Sequence, residues 1–354
     1  MRQSFYHTIK RYHTLRTNRI TALPIAIVMP HSSCNCRCRI CDIWKGNRNL
    51  KQLTIDDIRP LLNSFRQLGT IQVVFSGGEA LLHNGFFEFC TLLKKEKLNI
   101  TLLSTGLLLK KHAEQLQELV DDIIVSLDGT EHIHDSIRNV PGAYNKLVEG
   151  VSFLKSINRS FRITARTVIH RLNYQSWPAI IRCAENMGLD QISFLPADLT
   201  SHAFNRDVLW SSERQSEIAL TRDELPDLKL LIENLTTAFA KQFKNGFIAE
   251  SPAKLMNIYK YYAAGYGLEE FPFKKCNAPW VSTVIEPDGS VKPCFFHPSI
   301  GNIRNNTLDE VLNGEMGMEF RKSLDMNTDP VCKRCVCSLN LDPGVNPIVS
   351  KFIV

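Results

Sequence analysis

The sequence predicts an α/β protein: a partial (β/α)6, TIM-like barrel followed by a small C-terminal extension rich in cysteine. Three observations carry this. Between residue 23 and about 196, six short apolar runs alternate with longer amphipathic stretches, the pattern of parallel βα units. Crossovers of this kind are right-handed, and six units fall short of the eight that close a barrel. From residue 276 onward Pro, Gly and Cys dominate, and nine of the 11 cysteines fall in two groups at opposite ends of the chain.

The composition supports a folded chain of this size. With 354 residues, 44% hydrophobic and 22% charged, it is neither a disordered polyelectrolyte nor a low-complexity fibre. At about 150 residues per domain, one large unit and one smaller one are expected, with a sizeable core. The 42 Lys+Arg against 36 Asp+Glu leave a net charge of +6 with the 10 histidines neutral. That excess is too diffuse for the basic stripe of a nucleic-acid binder. It is densest in the first 20 residues, at Arg2, Lys10, Arg11, Arg16 and Arg19. No run reaches transmembrane length, and no apolar h-region follows the N-terminal charges, so a cytoplasmic address is expected. In a reducing compartment the cysteines read as metal or redox groups rather than disulfides. Cys90 and Cys183 stand alone and read as small core residues.

The elements follow in order. Residues 1–22 form a basic lead, with Phe5, Ile9, Tyr12 and Leu15 on one face of a helix that packs on the outside of the fold; a membrane-surface helix would want a larger apolar face. Residues 23–200 hold the barrel. Its strands are Leu23–Met29, Ile71–Phe75, Ile100–Ser104, Ile123–Leu127, Arg162–Ile169 and Gln191–Leu195. Thr54 caps a helix bearing Asp56 and Asp57, then Ile58, Leu61, Leu62 and Phe65 at helical spacing. Helical spacing returns at Phe86, Phe89, Leu92 and Leu93; at Leu116 and Leu119; at Leu147, Val151 and Leu154; and at Trp177, Ile180, Ile181 and Ala184. Residues 201–275 read as a helical bridge, with one helix over Asp223–Phe243 and an aromatic segment at Tyr259, Tyr261, Tyr262 and Tyr266. Residues 276–340 form the extension, in which Val281–Ile285, Pro287-Asp288-Gly289 and Ser290–Lys292 read as a hairpin. Residues 341–354 are a tail.

The chemistry-bearing motifs follow the strands. Cys34, Cys36, Cys38 and Cys41 come directly after the first one. Thiolates at this spacing wrap an iron–sulfur cluster or a zinc ion on one tight loop. Cys36 offers a fourth sulfur, so the choice of three is not unique, and a zinc knuckle on all four is the competing reading. After the second strand comes Ser76-Gly77-Gly78-Glu79, where glycines allow close backbone approach and a carboxylate suits a ligand ammonium. Ser104-Thr105-Gly106 follows the third strand and Ser126-Leu127-Asp128-Gly129 the fourth. Arg166 lies in the fifth, with Asn173 beyond it. Barrels collect function at these strand ends.

This ordered set resembles the radical S-adenosylmethionine (SAM) superfamily, whose CxxxCxxC signature stands at Cys34, Cys38 and Cys41. The resemblance covers about 24–340. It implies a 4Fe–4S cluster on these three cysteines, with one iron left for the methionine amine and carboxylate of S-adenosylmethionine. It further implies cofactor contacts at Gly77, Gly78 and Glu79 (ammonium), Ser126 (ribose) and Arg166 (carboxylate), and it places Thr105 and Asp128 among the cofactor-binding residues. Ile40 stands where the family usually carries an aromatic residue, and Ser104-Thr105-Gly106 where it often carries Thr-Asn-Gly. In the tail half, Cys276, Gly289-x4-Cys294, Cys332 and Cys335 resemble a SPASM or twitch extension. One auxiliary 4Fe–4S cluster on Cys276, Cys294, Cys332 and Cys335 is implied, with Cys337 the spare and a replacement for Cys335. The cysteines are too few for two complete clusters, and a structural zinc is the alternative.

By resemblance the chain is an enzyme that cleaves S-adenosylmethionine reductively and abstracts hydrogen from a peptide, protein or small-molecule biosynthetic substrate. Its reductant would be a flavodoxin or ferredoxin. The barrel starts near residue 23, leaving no room for the leader-peptide-binding domain of many peptide modifiers. A non-enzymatic electron carrier or metal scaffold would have the cysteines without the cofactor loops; a nucleic-acid modifier would show a basic aromatic groove. His31, His132, His134, His202, Tyr262 and His297 are the candidate substrate-facing groups. His134 reads as a packing or hydrogen-bonding residue rather than a proton donor.

Overall fold

Six parallel strands stand side by side in chain order: β1 (Ile25–Val28), β2 (Gln72–Phe75), β3 (Asn99–Ser104), β4 (Asp122–Ser126), β5 (Arg162–Ile169) and β6 (Gln191–Pro196). All six were expected, and their ends lie within two residues of the expected ones. The computed structural model describes residues 5–206 and 208–345, so Arg2 of the lead, the Phe5 side chain and residues 346–354 of the tail lie outside the described residues.

The extension joins this sheet. Strand β7 (Ser282–Ile285) pairs parallel to β1 in register Ile25↔Ser282 to Val28↔Ile285. Strands β8 (Ser290–Lys292) and β9 (Gly301–Asn302) then continue antiparallel. The sheet of nine strands runs β6-β5-β4-β3-β2-β1-β7-β8-β9 and does not close. The β7–β8 hairpin is the expected one, with the Glu286 carbonyl accepting from Gly289 at 2.9 Å and Gly289 at φ +83.

Strand alternation sorts the side chains between the two faces. Val73, Phe75, Ile100, Leu102, Ile123, Val125, Ile163 and Ile192 face the surrounding helices and merge with their apolar sides into the main core. Ile25, Ile27, Val74, Val281, Val284 and Leu341 fill the concave side. The helix Ile55–Leu68 starts where expected, because Thr54 and Asp57 form a reciprocal capping box. Cys90 is fully buried and Cys183 packs against the core.

Two expectations are corrected. In the N-terminal helix Phe5–Thr17, Ile9 and Tyr12 are exposed, and Arg11 and Thr14 are buried instead. Arg11 donates to the carbonyls of Leu341, Asp342 and Val345, and the Thr14 hydroxyl accepts from the Thr21 and Ala22 N–H groups. Hydrogen bonding to the 341–345 segment and to the turn after the helix selects this face over the apolar one. The helix expected over Asp223–Phe243 is two, Leu225–Ala238 and Ala240–Lys244, broken at Phe239 with φ −115 and ψ 28. A further helix, Pro252–Ala264, carries Tyr262, whose hydroxyl accepts from the Ala197 N–H at 2.9 Å and donates to the Ile169 carbonyl at 2.6 Å. The bridge is thereby bolted to the ends of β5 and β6.

Candidate active site

The C-terminal ends of the parallel strands open into a cleft of about 430 Å³. Cys34, Cys38 and Cys41 line it, and Cys36 does not. Each of the three lining sulfurs has one N–H donor. The Cys36 N–H points to Cys34 Sγ at 3.5 Å, the Ile43 N–H to Cys41 Sγ at 3.4 Å, and Arg138 Nη1 to Cys38 Sγ at 3.6 Å. The Cys36 thiol is buried between Cys34 and Cys38; hydrogen bonding to their sulfurs holds it protonated and lowers the Cys38 thiol in turn. A trio of donor-supported thiols on the lining of a cleft, with the fourth buried off that lining, fits a cluster held at three corners.

The cysteine loop is held by its neighbours. Asn47 clamps the Cys34 peptide from both sides at 2.9 Å. Arg37 and Arg39 N–H groups donate to the Arg138 and Ile137 carbonyls at the end of helix Glu131–Arg138. Gly78 has no space for a side chain, since a Cβ there would lie 1.9 Å from the Ser33 carbonyl oxygen. Gly77 sits at φ +104 against Met29. Both glycines line the cleft, as do Thr105 and Ser126.

Three of the expected cofactor residues, Glu79, Asp128 and Arg166, are not on the cleft lining. Glu79 is fully buried, and its Oε2 accepts from Ser104 Oγ at 2.9 Å, the Thr105 N–H at 2.7 Å and Thr105 Oγ1 at 2.6 Å. Burial raises its pKa against these bonds. Its carboxylate ties the β2 and β3 loops together and does not face the cleft. Asp128 is also fully buried and pairs with Arg138 Nη2 at 2.6 Å. Arg166 lies in register between Ser126 and Ser193, but its Nε reaches toward Ser193 Oγ at 3.4 Å and its side chain enters a second cavity. Burial lowers its pKa, and the Cys337 thiol on the same cavity and the buried Glu250 carboxyl act against that.

That second cavity, of about 290 Å³, is lined by Cys276, Cys294, Cys332, Cys335 and Cys337. The Phe296 and His297 backbone N–H groups support Cys294, and His297 Nε2 lies 3.4 Å from Cys332 Sγ. Five thiols on one cavity, Cys294 among them with backbone donors, fit a second iron–sulfur cluster with one sulfur to spare. Leu103 and Phe295 line both cavities and form the partition between them.

The candidate histidines separate on the same geometry. His31 lines the cleft, its Nε2 donating to the Glu79 carbonyl at 2.7 Å, and exposed His202 stands at the far wall. His132 is exposed and outside the cleft. His134 is buried, its Nδ1 accepts from the Asp128 N–H at 3.2 Å, and desolvation lowers its pKa to about 4. It is a neutral packing residue, as expected. Asn173 donates to the Asp128 carbonyl and accepts from the His170 N–H, bracing the loop. The sequence left Arg138, Asp198 and Arg206 unmarked. Asp198 and Arg206 form a buried pair at 2.6 Å, Trp210 stacks on Arg206, and Trp210 Nε1 donates to Asp42 beside Cys41. Pairs formed between loops and across the fold in this way leave no periodic signal.

Comparison with known proteins agrees with this geometry. A family model described as the radical SAM superfamily matches residues 28–184, and one described as an iron–sulfur cluster-binding domain, SPASM, matches 276–336. The chain carries a radical SAM domain followed by a SPASM domain. Members of this superfamily are enzymes, and their cofactors are S-adenosylmethionine and 4Fe–4S clusters. This radical SAM protein is 28% identical over 160 residues to the AdoMet-dependent heme synthase of Oleidesulfovibrio alaskensis, covering 44% of this chain and 41% of that one. The match thus spans about two fifths of that relative's length. The Fe-coproporphyrin III synthase of Methanosarcina barkeri is 23% identical over 341 residues, 90% of this chain and 82% of the relative. The crystal structure of Streptococcus suis SuiB bound to precursor peptide SuiA shares the fold, with a TM-score of 0.66 at 15% identity, covering 92% of this chain and 73% of SuiB. Among the described residues, no helix is long and apolar enough to cross a membrane.

Proposed function

We propose that this radical SAM protein binds a 4Fe–4S cluster through Cys34, Cys38 and Cys41, with S-adenosylmethionine in the adjoining cleft. The observation that carries this reading is the set of three cleft-lining sulfurs, each met by one N–H donor. When bound, the cluster and cofactor together supply reductive carbon–sulfur cleavage and a carbon-centred radical that abstracts hydrogen from the substrate. The chain's own part is binding, orientation and exclusion of water. Backbone groups of Gly77 and Gly78 meet the methionine end, and Thr105 and Ser126 face the cofactor from β3 and β4. Glu79 and Asp128 act from beneath, by fixing Thr105 and Arg138. The far wall, with Leu195, His202 and Phe204, faces the substrate.

The extension holds one auxiliary 4Fe–4S cluster on Cys276, Cys294, Cys332 and Cys335, with Cys337 the competitor for the place of Cys335. The substrate is a peptide or a small biosynthetic molecule. SuiB, bound to its precursor peptide, supports the first; the two synthases support the second. The reductant is a flavodoxin or ferredoxin, and the chain works in the cytoplasm, where thiols remain reduced. The cofactor loops weigh against a mere electron carrier, and the diffuse charge against a nucleic-acid substrate.

Anaerobic reconstitution with iron and sulfide tests this. About eight irons per chain are expected for two 4Fe–4S clusters. S-adenosylmethionine and a reductant then release 5′-deoxyadenosine from the native chain and none from Cys38→Ala. Full clusters without that product, in the presence of candidate substrates, would favour the electron carrier.

A further inference from the structure

One cation stands beside the cysteine loop with a fixed orientation. Arg138 is the last residue of helix Glu131–Arg138, and its side chain is 11% exposed. One end of its guanidinium pairs with Asp128 Oδ2 at 2.6 Å. The other end points Nη1 at Cys38 Sγ at 3.6 Å. The Asp128 backbone is fixed and its side chain is buried. Its N–H donates to His134 Nδ1 at 3.2 Å, and its carbonyl accepts from Asn173 Nδ2 at 3.0 Å. The cysteine loop is fixed to the same helix end, where Arg37 N–H donates to the Arg138 carbonyl at 3.1 Å and Arg39 N–H to the Ile137 carbonyl at 2.9 Å. The guanidinium and the sulfur are therefore held against each other from both sides.

We propose that Arg138, oriented by Asp128, is a positioning residue that tunes the reduction potential of the cluster through the Cys38 sulfur. This rests on the reading of Cys34, Cys38 and Cys41 as cluster ligands. Among the described residues the other two sulfurs receive neutral backbone donors, and Cys38 alone receives a charged one. Reduction adds one negative charge to a cluster. A cation donating to a ligand sulfur stabilises the reduced form more than the oxidised form and so raises the potential. Cys38 is 7% exposed, so water screens this interaction little. The partnering carboxylate offsets part of the charge, but the guanidinium lies between it and the sulfur. Reductive chemistry on a sulfonium demands a strong reductant. Arg138 sets how strong the electron donor must be to fill this cluster.

The test is an anaerobic redox titration of the full, reconstituted chain, followed by electron paramagnetic resonance. The cluster is identified as the one whose signal changes on adding S-adenosylmethionine, which separates it from the auxiliary one. Arg138→Gln is expected to keep its iron and the responsive signal while its midpoint moves to more negative potential. A tenfold shift in the reduction equilibrium would read as about 59 mV. Arg138→Lys, which keeps the charge but not the two-ended fork, is expected between that variant and the native chain. An unchanged midpoint in Arg138→Gln overturns the proposal. If Arg138→Gln fails to load iron, Arg138→Lys decides: a more negative midpoint supports the proposal and a native midpoint overturns it. A native chain without any signal responsive to S-adenosylmethionine would overturn the cluster reading itself, and the proposal with it.

Discussion

Glu79 accepts two hydrogen bonds from Thr105, one from its N–H at 2.7 Å and one from its hydroxyl at 2.6 Å. A carboxylate expected to face a ligand is thus occupied by its own protein. It joins the loop after β2 to the loop after β3, and Ser104 adds a third donor. Glu79→Ala leaves these buried donors without an acceptor. A loss of about 3 kcal/mol or more in unfolding free energy is expected, from several unmet donors of a charged group. Glu79→Gln, which keeps an acceptor, costs less. Urea unfolding of both variants checks the order, and an alanine variant as stable as the native chain would remove the brace from the account.

Gly78 is required by packing before any ligand arrives. Gly78→Ala would set its Cβ 1.9 Å from the Ser33 carbonyl and 3.2 Å from Cys34 Cβ. The backbone of the cysteine loop, not a flexible side chain, has to move. The expected outcome is displacement of Cys34 and loss of iron on reconstitution, with a smaller effect on global stability. Iron analysis beside a thermal melt separates the two, and normal iron loading would contradict the close packing.

The cysteines divide by the cavity they face. Alanine at Cys34, Cys38 or Cys41 is expected to remove about four irons per chain, one cluster's worth, and alanine at Cys36 none. In the second cavity, Cys335→Ala is expected to lose the auxiliary iron and Cys337→Ala to retain it. The reverse result for that last pair would make Cys337 the ligand. Iron and sulfide counts on each purified variant decide.

Two buried histidines are held neutral in the same way. His134 Nδ1 accepts from the Asp128 N–H and His170 Nδ1 from the Leu172 N–H, and desolvation lowers both pKa values to about 4 from 6.5. Below pH 6.5 the unfolded chain takes up a proton at each, whereas the folded chain does not until about pH 4. Their contribution is therefore complete above pH 6.5 and is lost as the pH falls toward 4. At pH 5 the loss is about 2 kcal/mol for each histidine. Unfolding measured at pH 7 and pH 5 should show a smaller drop for His170→Gln than for the native chain, and equal drops would show His170 charged in the fold.

Much of this molecule is legible in its sequence because the signals are local. A strand alternates with period two and a helix with 3.6, whatever it packs against. The six barrel strands, the Thr54 cap and the β7–β8 turn at Gly289 follow from these periods and from turn chemistry. So does the pairing of a cysteine loop with glycine, serine and acidic loops at successive strand ends. What the residues of those loops touch is another matter. Glu79, Asp128 and Arg166 stand at the positions the pattern marks, yet two serve as internal partners and one enters the other cavity.

By itself the sequence determined the rhythm of the barrel, the cysteine spacing and the membership that both announce. Only the tertiary structure decided that β7 would extend the sheet from β1, that Arg11 and Thr14 rather than Ile9 and Tyr12 would be buried, and that Arg138 would meet Cys38. The physical reason is common to all three. Periodicity is fixed by the backbone over a few residues, whereas a buried polar group takes whichever partner the fold brings within about 3 Å, and that partner lies anywhere in the chain.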